Sequence, residues 1–157
     1  MRTGFGGGGT IEGSGRLVKA GNGTLTLSGS NTHTGGTAIG SGTLAVASDA
    51  ALGAAGGALA IEGGFLQTTA SFSTARTTSL LNGGGFDVDY GTTLTHGGTI
   101  SGSGYLVKQG AGTLVLEGTN TYTAETVLGQ GTLKVTSDAA LGAASANLRM
   151  QGGTLWT

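Results

Sequence analysis

The segment "GSGYLVKQGAGTLVLEGTNTYT", residues 102–123, decides the fold, because nearly the same segment, "GSGRLVKAGNGTLTLSGSNTHT", occupies residues 13–34. Sliding the sequence on itself until residue 10 meets residue 99 aligns residues 10–67 with residues 99–156 without a gap. About 35 of the aligned positions are identical, which is a signature of repeat architectures. The repeat predicts that equivalent segments stack on one another in space.

A shorter period lies within each copy of the repeat. "GTLTL" begins at Gly23 and "GTLAV" at Gly42, and the same step separates "GTLVL" at Gly112 from "GTLKV" at Gly131. Apolar and small polar residues alternate in these segments and Gly precedes them, a pattern typical of short, half-buried strands between turns. The alternation also predicts strands around residues 59–61 and 86–88, whereas the Ala-rich "SDAALGAAGGALA" is interpreted as a longer turn.

The composition excludes several classes of protein. Of 157 residues, 35 are Gly, none is Pro or Cys, and only 10% are charged. The regular alternation argues against a flexible linker, and the irregular Gly spacing without Pro excludes collagen. Seven scattered cations and a net charge of −1 provide no basic stripe for nucleic acid. The absence of Cys excludes thiolate catalysis and Cys-type zinc sites.

Two further features of the sequence bear on its cellular context. Met1 is followed by "RTGFGGGGTIEGSG", which lacks the apolar core of a secretory signal. No window is long and apolar enough for a transmembrane helix. We therefore expect no signal peptide within this chain and no direct membrane insertion by this segment.

Short strands that recur every 19–22 residues suit a meander, a sandwich or a solenoid. Asn22-Gly23 and Asn82-Gly83 are dipeptides that can reverse the chain in a hairpin, but the repeat favours the solenoid. In a solenoid each Leu or Val lies beneath its counterpart in the next coil, Gly forms the corners, and Thr faces outward. We predict one all-β solenoid over residues 1–157, with seven to eight coils of about 20 residues.

The segment "GSGRLVKAGNGTLTLSGSNTHTGGTAIGSGTLAV" resembles the autotransporter-associated β-strand repeat, also called the passenger-associated transport repeat. The resemblance covers residues 13–46 and 102–135, and "SDAALG" extends it. The second copy departs from the family pattern at Ala124-Glu125, where the family has Gly-Gly. Twelve positions are expected to carry the structural repeat: Gly23, Leu25, Leu27, Asn31, Leu44, Val46, Gly112, Leu114, Leu116, Asn120, Leu133 and Val135.

The resemblance implies a right-handed parallel β-helix in the passenger of a Gram-negative autotransporter, located at the cell surface or outer membrane or secreted. It also implies a C-terminal β-barrel translocator in the parent protein, which is absent from this chain. The function expected from it is a structural stalk that supports surface display and folds stepwise during export. The alternative is an adhesin or a glycan- or surface-binding module, in which Thr32 with Thr34 and Thr121 with Thr123 form a hydroxyl array, and a host or cell-surface ligand is then unknown.

Side chains capable of chemistry are few, and each has a structural interpretation. His33 and His96 are expected at exposed strand or turn positions, since a metal site needs converging ligands. Asp49 and Asp138 are interpreted as caps of the following turn. Asp87 and Asp89 in "GGGFDVDY" are similar to a calcium solenoid repeat, but the fourth Gly and a tandem copy are missing.

The remaining polar positions are interpreted in the same way. Lys19 and Lys108 are predicted to be solvated charges at strand edges. The amides of Asn31 and Asn120 are expected to stack on one another or to bond turn backbone. Ser14 and Ser103 lack a positioned acid and base, so we predict no enzyme, no catalytic residue, no metal and no cofactor. An uncapped rod is expected to be marginally stable or prone to aggregate.

Overall fold

The computed structural model describes residues 9–157, in which seventeen short strands form three parallel sheets. Sheet A contains β1 (Leu17–Lys19), β3 (Thr37–Ile39), β5 (Leu59–Ile61), β8 (Thr78–Leu80) and β11 (Ile100–Gly102). Sheet B contains β2 (Thr24–Leu27), β4 (Thr43–Val46), β6 (Phe65–Thr68), β9 (Gly84–Val88), β12 (Leu106–Gln109), β14 (Thr126–Leu128) and β16 (Leu148–Met150). Sheet C contains β7 (Phe72–Thr74), β10 (Thr93–His96), β13 (Thr113–Leu116), β15 (Thr132–Val135) and β17 (Thr154–Trp156).

Successive strands of each sheet come from successive coils and pair in parallel. On sheet A, for example, Leu17 pairs with Thr37, and Thr37 pairs with Leu59. The chain therefore turns from one sheet to the next and returns to the first sheet one coil higher. The predicted all-β solenoid is confirmed, with about seven coils, and neither Asn22-Gly23 nor Asn82-Gly83 reverses the chain into a hairpin.

The core is a continuous column of apolar side chains along the axis of the solenoid. Inward-facing residues stack directly on their counterparts because the strands pair without a shift in register. On sheet B one inward column contains, in order, Leu25, Leu44, Leu66, Phe86, Lys108, Leu128 and Met150. Apolar burial along such columns supplies the main stabilisation of the fold.

Glycine is required where corners of adjacent coils meet. Every residue with positive φ in residues 9–157 is a glycine. At Gly131, φ is +68°, and a Cβ atom would lie 2.4 Å from the carbonyl oxygens of Gly110 and Gly112. A larger residue at this corner would push the two coils apart, as it would at Gly42, the repeat counterpart.

The Ala-rich segment, interpreted from the sequence as a longer turn, instead begins with a short 3₁₀-helix in each copy, Asp49–Leu52 and Asp138–Leu141. The predicted capping role of the two Asp residues is wrong, because the N-cap residues are Ser48 and Ser137, and neither makes a side-chain capping bond. Each 3₁₀-helix replaces a strand on one side of its coil. The first helix lies on the side of sheet C, and the second lies on the side of sheet A.

The two copies of the repeat lie on different faces of the solenoid. Leu17 belongs to sheet A, where it aligns with Ile100 four coils later. Leu106, the repeat counterpart of Leu17, comes six residues after Ile100 and belongs to sheet B. The sequence repeat spans four full coils plus one further side of a coil. Equivalent segments of the two copies therefore lie on adjacent faces of the solenoid.

Replacing an inward Leu by Ala tests the core column. Leu44→Ala removes side-chain atoms from a residue that is 0% exposed, and we expect a loss of about 2–5 kcal/mol in the free energy of unfolding. Leu81→Ala, at a residue that is 50% exposed, should change stability by less than about 0.5 kcal/mol. Urea denaturation of both variants measures the difference, and equal losses would contradict the assigned core.

Candidate functional site

Polar side chains are buried at intervals along the solenoid, and they form the candidate site. They are Lys19, Asn31, His33, Thr37, Thr68, Thr74, Arg76, Thr78, His96, Lys108, Asn120 and Thr126. Burial of a polar group is costly unless it is hydrogen-bonded, so each partner reveals what the group does. The expectation that Thr faces outward is wrong for the five buried threonines in this set.

Arg76 makes the densest set of polar contacts. Its guanidinium binds the Asp49 carboxylate in a bidentate pair, with Nε to Oδ1 at 2.8 Å and Nη2 to Oδ2 at 3.0 Å. It also donates to the carbonyl oxygens of Asp49, Gly53, Ala54 and Gly57 at 2.8–3.1 Å. These contacts fasten the 3₁₀-helix of one coil to the start of β8 in the next coil. The sequence interpretation missed Arg76, because its position has no counterpart within the aligned repeats.

Lys19 and Lys108 lie inside the fold, so the prediction of solvated edge charges is wrong. Their exposed fractions are 5% and 0%. The Lys108 ammonium donates to the carbonyl oxygens of Gln109, Gly110 and Gln130 at 2.7–3.2 Å, and Lys19 makes the equivalent three bonds. Burial lowers the pKa of Lys108 to about 8, which leaves it protonated at neutral pH. Each lysine therefore closes a corner between two coils.

Asn31 and Asn120 bond the backbone, which is one of the two roles that the sequence left open. The Asn120 Oδ1 atom accepts from the Ile100 amide at 2.8 Å, and its Nδ2 atom donates to the Ala140 carbonyl at 2.6 Å. Asn31 makes the same two bonds to Ile11 and Ala51. Each amide therefore connects the coil below it to the coil above it.

His33 is buried, contrary to its predicted exposure, and it occupies the same place as Tyr122 in the other copy. Its Nε2 atom lies 3.0 Å from the Thr37 hydroxyl, and the Tyr122 hydroxyl bonds Thr126 in the same way. An aromatic ring followed four residues later by Thr is the sequence signal for this pair. Burial lowers the pKa of His33, so the ring is neutral near physiological pH.

His96 is also buried, and the predicted exposed position is wrong for it too. Its Nε2 atom lies 2.8 Å from the Thr78 hydroxyl, and its ring packs against Phe86 with the centroids 5.6 Å apart. Burial lowers the pKa of His96 to about 4. His33 and His96 lie on different coils and pair with separate threonines, so the two rings do not form one site.

The twelve predicted repeat positions fall into a few columns and corners. Sheet B aligns Leu25 with Leu44 and Leu27 with Val46, and sheet C makes the equivalent pairs Leu114 with Leu133 and Leu116 with Val135. Leu25 is only partly buried, while the other leucines and valines are in the core. Gly23 and Gly112 lie at corners and Asn31 and Asn120 bridge coils, and the structural role of the whole set remains our proposal.

The remaining candidate groups lie on the surface without converging. Asp89 and Asp87 accept hydrogen bonds from Gln67 and Gln109. Ser14 and Ser103 are exposed. In the part of the chain that the structure describes, no group of three His, Asp or Glu side chains is placed to hold a metal ion. Likewise, none of the helices among residues 9–157 is long and apolar enough to span a membrane.

The fold and its inward-facing polar groups define a structural β-solenoid built from a stacking repeat. Residues 17–46 and 106–135 match the model of the passenger-associated-transport-repeat. The chain is also 47% identical over 127 residues to the adhesin BmaC autotransporter of Brucella suis biovar 1 (strain 1330). This alignment covers 80% of the chain but only 4% of the relative. No solved structure gave a significant match.

The repeat matches and the relative agree with each other and with the fold. The chain therefore carries two segments similar to the passenger-associated-transport-repeat, and it is similar over most of its length to part of an autotransporter adhesin. The two matched regions start at Leu17 and Leu106, the first residues of β1 and β12, and they include both buried lysines and both bridging asparagines.

The ion pair of Arg76 is tested by two Asp variants in identical local sequence. Asp49→Asn removes the charge that Arg76 binds, and we expect a loss of roughly 2 kcal/mol, less than for a fully buried pair because Asp49 is partly exposed. Asp138→Asn, on the exposed counterpart, should change stability by less than about 0.5 kcal/mol. Chemical denaturation measures both, and equal effects would refute the assigned role of Arg76.

Burial of His96 predicts a dependence of stability on pH. The pKa of His96 in the folded chain, about 4, lies below the usual histidine pKa of 6.5, so the unfolded chain binds more protons between these pH values. His96 therefore makes its full contribution to the free energy of unfolding above pH 6.5. This contribution falls as the pH drops, and about 3 kcal/mol of it is lost at pH 4. His96→Gln should flatten this part of the stability profile, measured by urea denaturation from pH 4 to 7. An unchanged slope would contradict the assigned burial.

Proposed function

We propose that this segment is a structural stalk in the passenger of a Gram-negative autotransporter, where it supports surface display. The observation that carries the proposal is the orientation of its polar side chains. Arg76, both lysines, both bridging asparagines and both histidines face inward and bond neighbouring coils or nearby backbone and threonine hydroxyls. A segment whose chemically distinctive groups are occupied with stacking is suited to length and rigidity rather than to catalysis.

Stepwise folding during export is the second part of the proposal. Each strand bonds only the strands one coil before and one coil after it, as in other linear repeat proteins. A coil that emerges from an export channel therefore needs only the coil beside it as a template. The name of the relative supports an outer-membrane setting, and we propose that a C-terminal translocator barrel in the parent protein provides the channel and places the passenger at the cell surface.

The alternative function is that of an adhesin or a glycan-binding module, which is favoured by the similarity to a relative named as an adhesin. Thr32, Thr34, Thr121 and Thr123 are exposed, as a hydroxyl array requires. The first pair lies between β2 and β3 on the side of sheet C, however, and the second lies between β13 and β14 on the side of sheet A. Because the pairs are on different faces, they do not form one flat array.

Single-molecule force measurement on the 157-residue chain tests stepwise folding. Pulling from one end should release successive steps of about 70 Å, the extended length of roughly 20 residues, and relaxation should recover them in sequence. Release of all coils in one event, at every loading rate, would contradict folding coil by coil.

Binding assays on the same chain separate the stalk from the adhesin. On a glycan array and on animal-cell monolayers, we expect no retention above that of a Tyr90→Ala variant, which alters an exposed aromatic residue that is 87% accessible. Saturable binding that this substitution removes would overturn the stalk proposal in favour of the alternative.

A further inference from the structure

The octapeptide "SDAALGAA" occurs twice, and its two copies differ in what they hold. The first copy, residues 48–55, contributes most of the acceptors that bind the Arg76 guanidinium, and Gly57 just beyond it contributes one more. The second copy, residues 137–144, has the same sequence. Asp138 is exposed, and within residues 9–157 no cationic side chain lies within ion-pair distance of it.

The backbone of the second copy has the same conformation as the first. The N-cap serines have φ −158° and −163°, and the terminal glycines, Gly53 and Gly142, both have φ +95°. The turn that follows closes with the bond from the Gly57 amide to the Ala54 carbonyl at 2.9 Å, and its counterpart joins Ala146 to Ala143 at 2.7 Å. The acceptors that surround Arg76 are therefore reproduced at the second copy without a guanidinium between them.

The same end of the molecule has an open strand edge. In the first copy, β5 is covered by β8, with Leu59 beside Thr78 and Ile61 beside Leu80. In the second copy, the counterpart of β5 is β16, whose Met150 corresponds to Ile61. Ile61 is 0% exposed, whereas Met150 is 50% exposed. The second copy thus places an acceptor cradle, formed by Asp138 and the carbonyl oxygens that follow it, beside the uncovered edge of β16. In the first copy, Arg76 fills the equivalent cradle and β8 covers the equivalent strand.

We propose that Asp138, the carbonyl oxygens of Gly142, Ala143 and Ala146, and the edge of β16 form a docking site for a strand that carries arginine. The occupant is a further coil of the same kind, with its arginine two residues before the pairing strand and an apolar residue at the third strand position. The pattern is that of Arg76, Thr78 and Leu80. The bidentate pair fixes the register of the added coil, because guanidinium and carboxylate fit in one geometry. This inference does not depend on the stalk proposal.

The test uses a synthetic peptide of residues 68–82, which contains Arg76 and β8, and the isotope-labelled full chain. Intramolecular Arg76 already fills the first cradle, so added peptide should shift the amide resonances of residues 138–150. Replacing the peptide's arginine by citrulline, which keeps the shape and removes the charge, should weaken binding by about tenfold or more.

Matched variants of the chain locate the effect. Asp138→Asn should weaken binding of the arginine peptide by about tenfold or more and abolish the preference over citrulline. Glu62→Gln, which removes a carboxylate paired with Arg16 away from β16, should leave the affinity unchanged. Circular dichroism checks that both variants keep the fold. Equal affinities for the two peptides, shifts outside residues 138–150, or no binding at millimolar peptide would each overturn the proposal.

Discussion

Parallel strands stacked in register, about 4.8 Å apart, impose the constraint on which the rest of this structure depends. Each coil must place its backbone bonds, inward side chains and corners directly over those of its neighbour. Columns of leucine fill the core, and glycines such as Gly131 occupy the corners where adjacent coils approach too closely for a side chain. The repeat in the sequence is a consequence of this constraint, since neighbouring coils share one set of geometric requirements.

The polar interior follows from the same geometry. A corner or an irregular segment lacks the regular bonds of a strand, so its backbone groups need other partners. Lys108 supplies them at a corner, Asn120 between three coils, and Arg76 around a 3₁₀-helix. These side chains specify how one coil sits on the next, because each of them bonds backbone groups of a neighbouring coil.

The sequence predicted the strands and the solenoid, because the alternation within each strand and the repetition between coils can be read directly from the residues. It did not predict that Lys19 and Lys108 are buried, since a lysine after an apolar pair looks the same whether its ammonium meets water or three carbonyls. The burial of His33 was missed because the bond to Thr37 depends on how the coil closes. The rotation of the second copy by one face depends on the summed lengths of four coils, which no single motif encodes.

Cysteine crosslinking tests the stacking register most directly, since the chain contains no native cysteine. Thr95 and Val115 are aligned on adjacent coils of sheet C, and Lys134 lies one coil further. We predict that Thr95→Cys with Val115→Cys forms an intramolecular disulfide on oxidation, because neighbouring strands lie about 4.8 Å apart. Thr95→Cys with Lys134→Cys, about 9.6 Å apart, should stay reduced. Closure of the second pair without the first would contradict the account.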